Sequence, residues 1–316
     1  TVRRQRQMCI RDSIETIAEV RNVPSSHVAV SSGSSSLMFS LLPRLLNEES
    51  KVLVLSPMYG EYSHILKHVI GCHITYFVLE DRNNFSIDAN DLISQACEHD
   101  AVIFVNPNSP TGVYCDSMGD IVKQIACSQN PDSLCKMIWV DETYINYLPD
   151  AVSLEAMCTV LPELVVCKSM SKCYALSGLR VAYAVSQSMS MLKRYIPPWA
   201  VSLPGQLAAV AALRNETYYG EQYEVIHGER EKMQSALEAS GFRVFPGVAN
   251  YLLTYLPEES GYSSVGFIEA CRARGLFVRD AQNMGVSLPG NAVRFAVRSV
   301  EENKTMLSVV DDVLSM

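Results

Sequence analysis

Hydrophobic residues in the first 185 positions occur mostly in short continuous runs rather than in alternation with polar residues. Such runs are typical of strands that are covered on both faces. Seven of these runs are predicted as strands, at residues 28–30, 52–55, 74–78, 101–105, 137–140, 164–166 and 181–185. Helical segments are predicted between them, at residues 34–46, 62–70, 89–98 and 116–128. Strands that alternate with helices predict an α/β fold with a mostly parallel seven-stranded sheet flanked by helices.

The pattern changes after this region. Two proline-containing breaks, at 197–198 and 204–205, interrupt the chain, and long helical stretches follow from residue 206 and over 219–240. The remaining segments are strands predicted at 242–245, 251–255, 276–278 and 293–298 and a final helix from residue 301. We therefore predict a large domain over residues 1–210 and a smaller C-terminal α+β domain over residues 211–316.

Composition narrows the class of protein. The 316 residues are 48% hydrophobic and 19% charged, which is ordinary for a globular protein with a sizeable core. A net charge of -8 and the lack of a basic stripe argue against nucleic acid as the main partner. The sequence has no apolar run of about 18 residues and no apolar signal core at its start, which predicts a cytoplasmic location and no membrane span.

Neither the cysteines nor the histidines form a recognisable ligand pattern. The ten cysteines are scattered without a CxxC pair, and several lie in apolar runs, as reduced cysteines usually do. Among six histidines, only His64 and His68 have helical i,i+4 spacing, and no matching carboxylate motif accompanies them. No metal site is predicted.

Several polar motifs follow directly after predicted strands. In parallel sheets, ligands bind at the carboxyl ends of the strands. The segment 31–36, Ser-Ser-Gly-Ser-Ser-Ser, leads into an apolar helix, where free N–H groups and the helix dipole suit an anion. Tyr59 follows the second strand and is a candidate for stacking on a flat ring, although a lone tyrosine is more often only packing. In the turn at 106–112, Asn-Pro-Asn-Ser-Pro-Thr-Gly, Asn108 and Ser109 are presented as hydrogen-bonding groups.

Asp141 ends the fifth predicted strand. A carboxylate at the end of a buried strand needs a positively charged partner, and a protonated pyridine nitrogen would serve. The alternative is a helix N-cap.

The segment 169–180 is the most informative part of the chain. Lys172 lies between Ser171 and further polar residues at a strand exit, and Arg180 follows eight positions later. A desolvated lysine attacks carbonyls, while hydroxyl groups and an arginine bind a phosphate dianion. Together these residues predict pyridoxal phosphate, an aldehyde that carries a phosphate.

The motifs NPNSPTG, VDETY, SMSKCYALSGLR and VRFAVRS, in this order, resemble those of fold-type I pyridoxal-phosphate enzymes. The resemblance covers roughly residues 15–310 and is to the class I/II aminotransferase family, histidinol-phosphate aminotransferase-like branch. It implies the type I fold, a Schiff base on Lys172, a ring-nitrogen contact from Asp141, an O3' contact from Tyr144 and stacking by Tyr59. The implied phosphate ligands are Ser34, Ser35, Ser169, Ser171 and Arg180.

The resemblance also implies a substrate site. Arg294 matches the arginine that binds the substrate carboxylate in a forked geometry. Arg298 lies on the same face by period-2 spacing, and with Arg279 it is a candidate for a second acidic group; an outward salt bridge is the equal alternative. Ser109 replaces the family's usual asparagine contact to O3', and Asn108 is a candidate to supply it.

These features lead to three hypotheses. The first is a homodimeric aminotransferase that exchanges the amino group of an amino acid with a polar or anionic side chain against a 2-oxo acid. The second is a decarboxylase or lyase of the threonine-phosphate decarboxylase type, and the third a catalytically impaired binding or regulatory member. The third is prompted by the N-terminus, because family members usually have some fifty more residues that cover the site.

Overall fold

The computed structural model describes residues 2–127 and 135–315 of the chain. The larger of its two sheets has seven strands: β1 (Val28–Ser31), β2 (Lys51–Ser56), β3 (His73–Val78), β4 (Ala101–Val105), β5 (Met137–Asp141), β6 (Leu164–Ser169) and β7 (Ala182–Val185). Their order is β1-β7-β6-β5-β4-β2-β3. Strand β7 is antiparallel to both of its neighbours, and the other pairings are parallel. The predicted mostly parallel seven-stranded α/β sheet is thus confirmed.

The helices surround this sheet and continue beyond it. Their bounds are α1 (Val2–Arg21), α2 (Ser34–Leu45), α3 (Gly60–His64), α4 (Ala89–Ala96), α5 (Met118–Ala126), α6 (Met170–Cys173), α7 (Met189–Leu192), α8 (Leu203–Leu213), α9 (Glu216–Ala239), α10 (Ser264–Arg272) and α11 (Val300–Leu314). The helix predicted at 62–70 is divided between α3 and a π-helical turn at Ile65–Ile70. The helix predicted at 116–128 ends as α5 at Ala126, and residue 128 lies outside the described part.

The central strands are buried on both faces, which explains their continuous apolar sequences. Every residue of β4 and β5 is buried, and Trp139 is the largest side chain with almost no exposure. Strand β6 is buried throughout as well, although Lys168 and Ser169 at its end are polar. These two buried polar residues mark the edge of the sheet where the candidate site lies.

A second, four-stranded sheet is antiparallel throughout. It consists of β8 (Arg243–Val244), β9 (Tyr251–Tyr255), β10 (Arg279–Asp280) and β11 (Ala292–Ala296), in the order β10-β11-β9-β8. The strand predicted at 276–278 is wrong in position, because the ladder with β11 forms only at Arg279 and Asp280. The domain boundary predicted between residues 210 and 211 falls inside α8 and stays a prediction.

The two sheets meet close to the end of β2. The loop after β10 places Gly285 against Pro57, and a Cβ at Gly285 would lie 2.4 Å from the Pro57 Cβ. The Met58 N–H donates to the Met284 carbonyl across this junction at 3.0 Å. The loop that follows β10 is therefore packed against the residues that directly precede Tyr59. Within the described ranges, no helix is both long and apolar enough to span a bilayer.

Candidate active site

An anion-binding cup forms where β1 leads into α2. Gly33 has a φ of 86°, and a Cβ there would lie 2.5 Å from the Arg180 Nη2, so only glycine admits this guanidinium. Arg180 Nη1 in turn donates to the Ser171 Oγ at 3.3 Å. The positive end of α2, with Ser34 and Ser35 in its first turn, thus faces an arginine and a serine from the lysine segment. This grouping suits a phosphate.

Glu61 links this cup to Tyr59. The hydroxyls of Ser35 and Tyr59 both donate to the Glu61 Oε2, at 2.8 and 2.9 Å. Tyr59 is 39% exposed, so one part of it remains available to a ligand. Sequence reasoning missed Glu61, although its position two residues after Tyr59 was the available signal.

Asp141 ends β5 as a buried carboxylate. Its Oδ1 accepts from the Thr143 N–H at 3.0 Å and from the Thr143 hydroxyl at 2.5 Å, and its Oδ2 accepts from the Tyr62 hydroxyl at 2.8 Å. Burial raises the pKa of Asp141, and these hydrogen bonds oppose the rise. None of the ion pairs among the described residues involves Asp141. A cationic N–H donor, such as a protonated pyridine nitrogen, would therefore relieve the cost of this buried charge.

Tyr62 and Trp139 support Asp141 from behind. The Trp139 Nε1–H donates to the Tyr62 hydroxyl oxygen at 2.9 Å, and that hydroxyl donates onward to Asp141. Burial keeps the pKa of Tyr62 well above its usual value, so it acts as a donor. The sequence analysis did not identify this relay. The one indication of it in the sequence is a second tyrosine, Tyr62, three residues after Tyr59.

Lys172 lies in the short helix α6, just after β6. The Ser169 hydroxyl caps this helix by accepting from the Ser171 N–H. Lys172 remains exposed to solvent. Partial desolvation, together with the positive charges of Arg294 and Arg180, lowers the pKa of its amine. A lowered pKa enlarges the neutral fraction that attacks a carbonyl.

Tyr144 lies between the lysine segment and the second sheet. Burial raises its pKa to about 12, while Arg294 opposes the rise. Its ring meets Tyr251 edge-on with centroids 5.2 Å apart, and the Tyr251 hydroxyl donates to the Asn108 carbonyl at 2.8 Å. Tyr144 is therefore present as a neutral hydroxyl, which suits a hydrogen bond to a ring oxygen.

In the turn at 106–112, the Ser109 side chain contacts the predicted substrate arginine, whereas the Asn108 amide is used in local hydrogen bonds. The Ser109 Oγ accepts from the Arg294 Nη1 at 3.3 Å. The Asn108 side chain donates to the Pro57 carbonyl at 3.2 Å and accepts from Thr111 at 3.0 Å, so both ends serve the turn. The prediction that Asn108 contacts the cofactor gains no support from these bonds.

Of the three arginines predicted to bind substrate, Arg279 and Arg294 are neighbours, whereas Arg298 lies apart from them. Arg279 on β10 is directly opposite Arg294 on β11 in the antiparallel ladder. The Arg294 guanidinium lies 4.6 Å from the Tyr251 ring centroid. Arg298 lies beyond β11 and forms an ion pair with Glu302 at 2.6 Å. The structure thus gives Arg298 the outward salt bridge that was the alternative in the sequence analysis.

A buried charge cluster surrounds Lys168 of β6 and includes Glu142, which follows β5, and Glu155. Lys168 Nζ is 2.8 Å from the Glu155 Oε2 and 3.3 Å from the Glu142 Oε2. Burial works against its charge, but the two carboxylates outweigh burial and raise the pKa of Lys168. Arg21 of α1 approaches Glu155 at 3.6 Å. This cluster holds Glu142 in place, and Glu142 directly follows Asp141 in the chain.

These residues fit pyridoxal phosphate as a cofactor. The cup at Gly33 suits its phosphate, the carboxylate of Asp141 suits its ring nitrogen, and the amine of Lys172, whose pKa is lowered, suits its aldehyde. Metal ligation has no comparable basis, because no group of three or more candidate ligands occurs in the described part of the chain. No disulfide joins the cysteines whose side chains the structure describes, and the His64 and His68 rings are 5.4 Å apart.

The fold and the site define a pyridoxal-phosphate enzyme of fold type I. Residues 9–310 match the family model for aminotransferase class I and II, and the chain belongs to this family. The membership confirms the predicted family, the cofactor and the enzyme class, a pyridoxal-phosphate-dependent transaminase.

Individual relatives span most of the chain. Histidinol-phosphate aminotransferase 2 of Archaeoglobus fulgidus is 29% identical over 95% of this chain and 81% of its own length. The L-serine phosphate decarboxylase of Sulfurospirillum multivorans is 26% identical over 95% of this chain and 77% of its own. The solved histidinol-phosphate aminotransferase of Clostridium acetobutylicum shares the fold, with a TM-score of 0.84 at 24% identity over 97% of this chain and 89% of that one.

Proposed function

We propose that this enzyme transfers an amino group from an amino compound with an acidic group to a 2-oxo acid, with pyridoxal phosphate attached to Lys172. The substrate would carry a carboxylate or a phosphate that binds Arg294, and Arg279 would help to bind a second acidic group. Lys172, Asp141 and Tyr144 would serve the cofactor.

The observation that carries the substrate class is the pair of arginines opposite each other on β10 and β11. Cross-strand partners lie on one face with Cβ atoms about 5 Å apart, and like charges in this position repel. Neither Arg279 nor Arg294 forms an ion pair with a carboxylate among the described residues. An anionic ligand between them and Lys172 would relieve this repulsion, which supports a substrate with an acidic group.

The chain's own residues have separate tasks in this proposal. When bound, the cofactor supplies an electron sink for the substrate bond that breaks. Asp141 would keep the ring nitrogen protonated, and Tyr144 would donate to the ring oxygen. The amine of Lys172 would accept the proton from the substrate α-carbon and return it, and the lowering of its pKa by partial burial and by Arg294 and Arg180 favours its neutral form.

Decarboxylation of a phosphorylated amino acid is the second candidate. The similarity to the L-serine phosphate decarboxylase favours it, since that relative covers 95% of the chain. The same arginines would then bind the substrate phosphate, and the bond that breaks would depend on which α-carbon substituent stands perpendicular to the ring.

A panel of amino donors separates these candidates. Purified holoenzyme is mixed with glutamate, histidinol phosphate or serine phosphate, and the absorbance of the bound cofactor, the 2-oxo acid and carbon dioxide are measured. Accumulation of a 2-oxo acid without carbon dioxide supports transamination, and the opposite result supports decarboxylation. Arg294→Gln should weaken turnover of the active donor, whereas Arg272→Gln, an exposed arginine on α10, is the matched control.

The third hypothesis has its own test. If the chain acted only as a binding or regulatory protein, Lys172→Ala would leave its biological activity unchanged. The joint placement of Lys172, Asp141, Tyr144 and Arg294 supports catalysis instead, so we expect that variant to be inactive.

We also propose a homodimer. Apolar side chains are exposed along the segment before and within α8, where Trp199 is 57% and Leu207 58% exposed, and Leu203 lies one turn before Leu207. Exposed apolar side chains at helical spacing favour a protein partner. Sedimentation should give twice the chain mass for the native protein, and Leu207→Glu should shift it toward the monomer. A native monomer that binds cofactor and turns over would contradict the dimer.

A further inference from the structure

Three consecutive carbonyl groups in the lysine turn accept hydrogen bonds from tyrosine hydroxyls. The carbonyls belong to residues 172, 173 and 174. Their donors are Tyr147 at 3.4 Å, Tyr223 at 3.0 Å and Tyr219 at 3.4 Å, respectively. Tyr219 and Tyr223 are one turn apart on α9, so a single helix face contacts the backbone on the far side of Lys172.

Besides these tyrosines, backbone bonds hold the lysine turn, from the Met170 N–H to the Val181 carbonyl at 3.0 Å and from the Leu176 N–H to the Met170 carbonyl at 3.2 Å. Helix α6 is only four residues long, and Ala175, which follows it closely, has a φ of 54° in the left-handed region. A non-glycine residue in this region costs about 1–2 kcal/mol and persists where its surroundings hold it. A cavity of about 400 Å³ adjoins the turn, with Tyr174 and Tyr223 in its lining. The tyrosine hydroxyls therefore add hydrogen bonds to the turn on the side that borders this cavity.

Tyr223 makes the shortest of the three tyrosine contacts. Hydroxyl donors usually lie about 2.7–2.8 Å from their acceptors, so 3.0 Å is close to ordinary and 3.4 Å is weak. Its side chain is 8% exposed, and its ring meets Tyr147 edge-on with centroids 5.2 Å apart. The hydroxyl is thus fixed in place rather than free to rotate into solvent.

Helix α9 also reaches the second hydrophobic core. Tyr223 belongs to the core of the large sheet, while Met233 and Leu237 of the same helix belong to the core of the small sheet that carries Arg294. One rigid element therefore fixes the lysine turn at one end and the sheet of the substrate arginine at the other.

We propose that Tyr223 is a positioning residue, which orients Lys172 toward the cofactor aldehyde through its hydrogen bond to the Cys173 carbonyl. The proposal rests on the proposed role of Lys172. Loss of this bond would let the turn relax at Ala175, and the amine would then spend less time in the reactive orientation. Binding of the cofactor's phosphate would be retained, because the cup at Gly33 consists mainly of α2 and Arg180, and its Ser171 is held by the Ser169 hydroxyl rather than by Tyr223.

The test separates attachment from binding. Cofactor-free Tyr223→Phe protein is mixed with pyridoxal phosphate, and the attachment rate is followed by visible absorbance across a range of pH. Affinity for 4'-deoxypyridoxine 5'-phosphate, which lacks the aldehyde, is measured in parallel. Tyr218→Phe is the matched control, because Tyr218 is a neighbour on α9 that is 49% exposed.

We expect the attachment rate of Tyr223→Phe to fall about tenfold, equivalent to about 1.4 kcal/mol, with affinity for the analogue unchanged. Tyr218→Phe should match the native protein in both measurements. An attachment rate within twofold of native overturns the proposal. An equal loss of attachment and analogue affinity also overturns it, since that result means general damage to the fold. If the native protein itself fails to attach the cofactor, the proposed role of Lys172 fails first.

Discussion

Removal of one hydroxyl from the relay behind Asp141 tests how the site keeps this carboxylate charged. Tyr62→Phe retains the ring, which has no exposed surface, and deletes the donor 2.8 Å from the Asp141 Oδ2. It also deletes the acceptor of the Trp139 Nε1–H. A hydrogen bond to a charged group contributes about 1.5–3 kcal/mol, and an unpaired buried donor costs about 1–3 kcal/mol. We expect the free energy of unfolding of the cofactor-free protein to fall by about 2–4 kcal/mol.

The pH dependence of this loss identifies its cause. Burial already raises the pKa of Asp141, so the folded state loses stability as pH rises from the unfolded pKa through the folded one. Without Tyr62 the folded pKa rises further, because one hydrogen bond that favours the carboxylate is gone. The difference between variant and native protein should therefore be smallest at low pH, where the cost of the unpaired Trp139 N–H remains, and grow as pH increases.

Urea unfolding at several pH values measures this difference, and titration with pyridoxal phosphate measures cofactor affinity, which should fall in the variant. Tyr76→Phe is the control, because Tyr76 lies on the edge strand β3 and is 39% exposed. The reasoning is refuted if Tyr62→Phe loses less than about 0.5 kcal/mol, the range of ordinary surface substitutions. A loss that is constant with pH would locate the cost at the indole rather than at Asp141.

Three further substitutions test the charges and the backbone around the lysine. Arg294→Gln removes a cation that lowers the pKa of Lys172, so the pH profile of cofactor attachment should move to higher pH; an unmoved profile would contradict this. Lys168→Met removes the cation shared by two buried carboxylates, of which Glu155 keeps only Arg21, and should cost about 3–5 kcal/mol in urea unfolding; Lys123→Met, which breaks an exposed pair, should cost under about 1 kcal/mol. Ala175→Gly removes the strain of a left-handed backbone, about 1–2 kcal/mol, and adds a glycine entropy cost of about 0.5–1 kcal/mol. The melting temperature of this variant should therefore rise slightly, and a fall would show that the turn is unstrained.

The large sheet was predictable from sequence because burial on both faces requires continuous apolar runs. These runs also predicted the edge of the sheet where the ligand binds, since Asp141 and the lysine segment come at the ends of such runs. The small sheet was less predictable. Strand β10 has two residues at a sheet edge, and its pairing depends on β11, which is 12 residues further on, rather than on its own hydrophobicity.

Some side chains of the site were likewise predictable from the sequence, and others were not. Lys172 and Arg180 were identifiable because the phosphate and the aldehyde demand particular residue types. Tyr62 and Tyr223 were not, because their function is to hold another protein group, and any buried donor at the right distance would satisfy it. Glu61 and Lys168 belong to the same class, since a carboxylate or amine in a sequence does not show which hydroxyl or carboxylate it will meet.

This division has a consequence for substrate choice. The residues proposed to hold the cofactor leave the reaction type open, since Lys172 and Asp141 would serve transamination and decarboxylation alike. What differs is how the substrate acid is held relative to Lys172, and that depends on the distance between the lysine turn and β11. Helix α9 joins both through Tyr223 and Leu237, and β10 supplies the second arginine. We therefore expect the determinants of the reaction to lie in contacts between the two sheets, where single residues carry no recognisable motif.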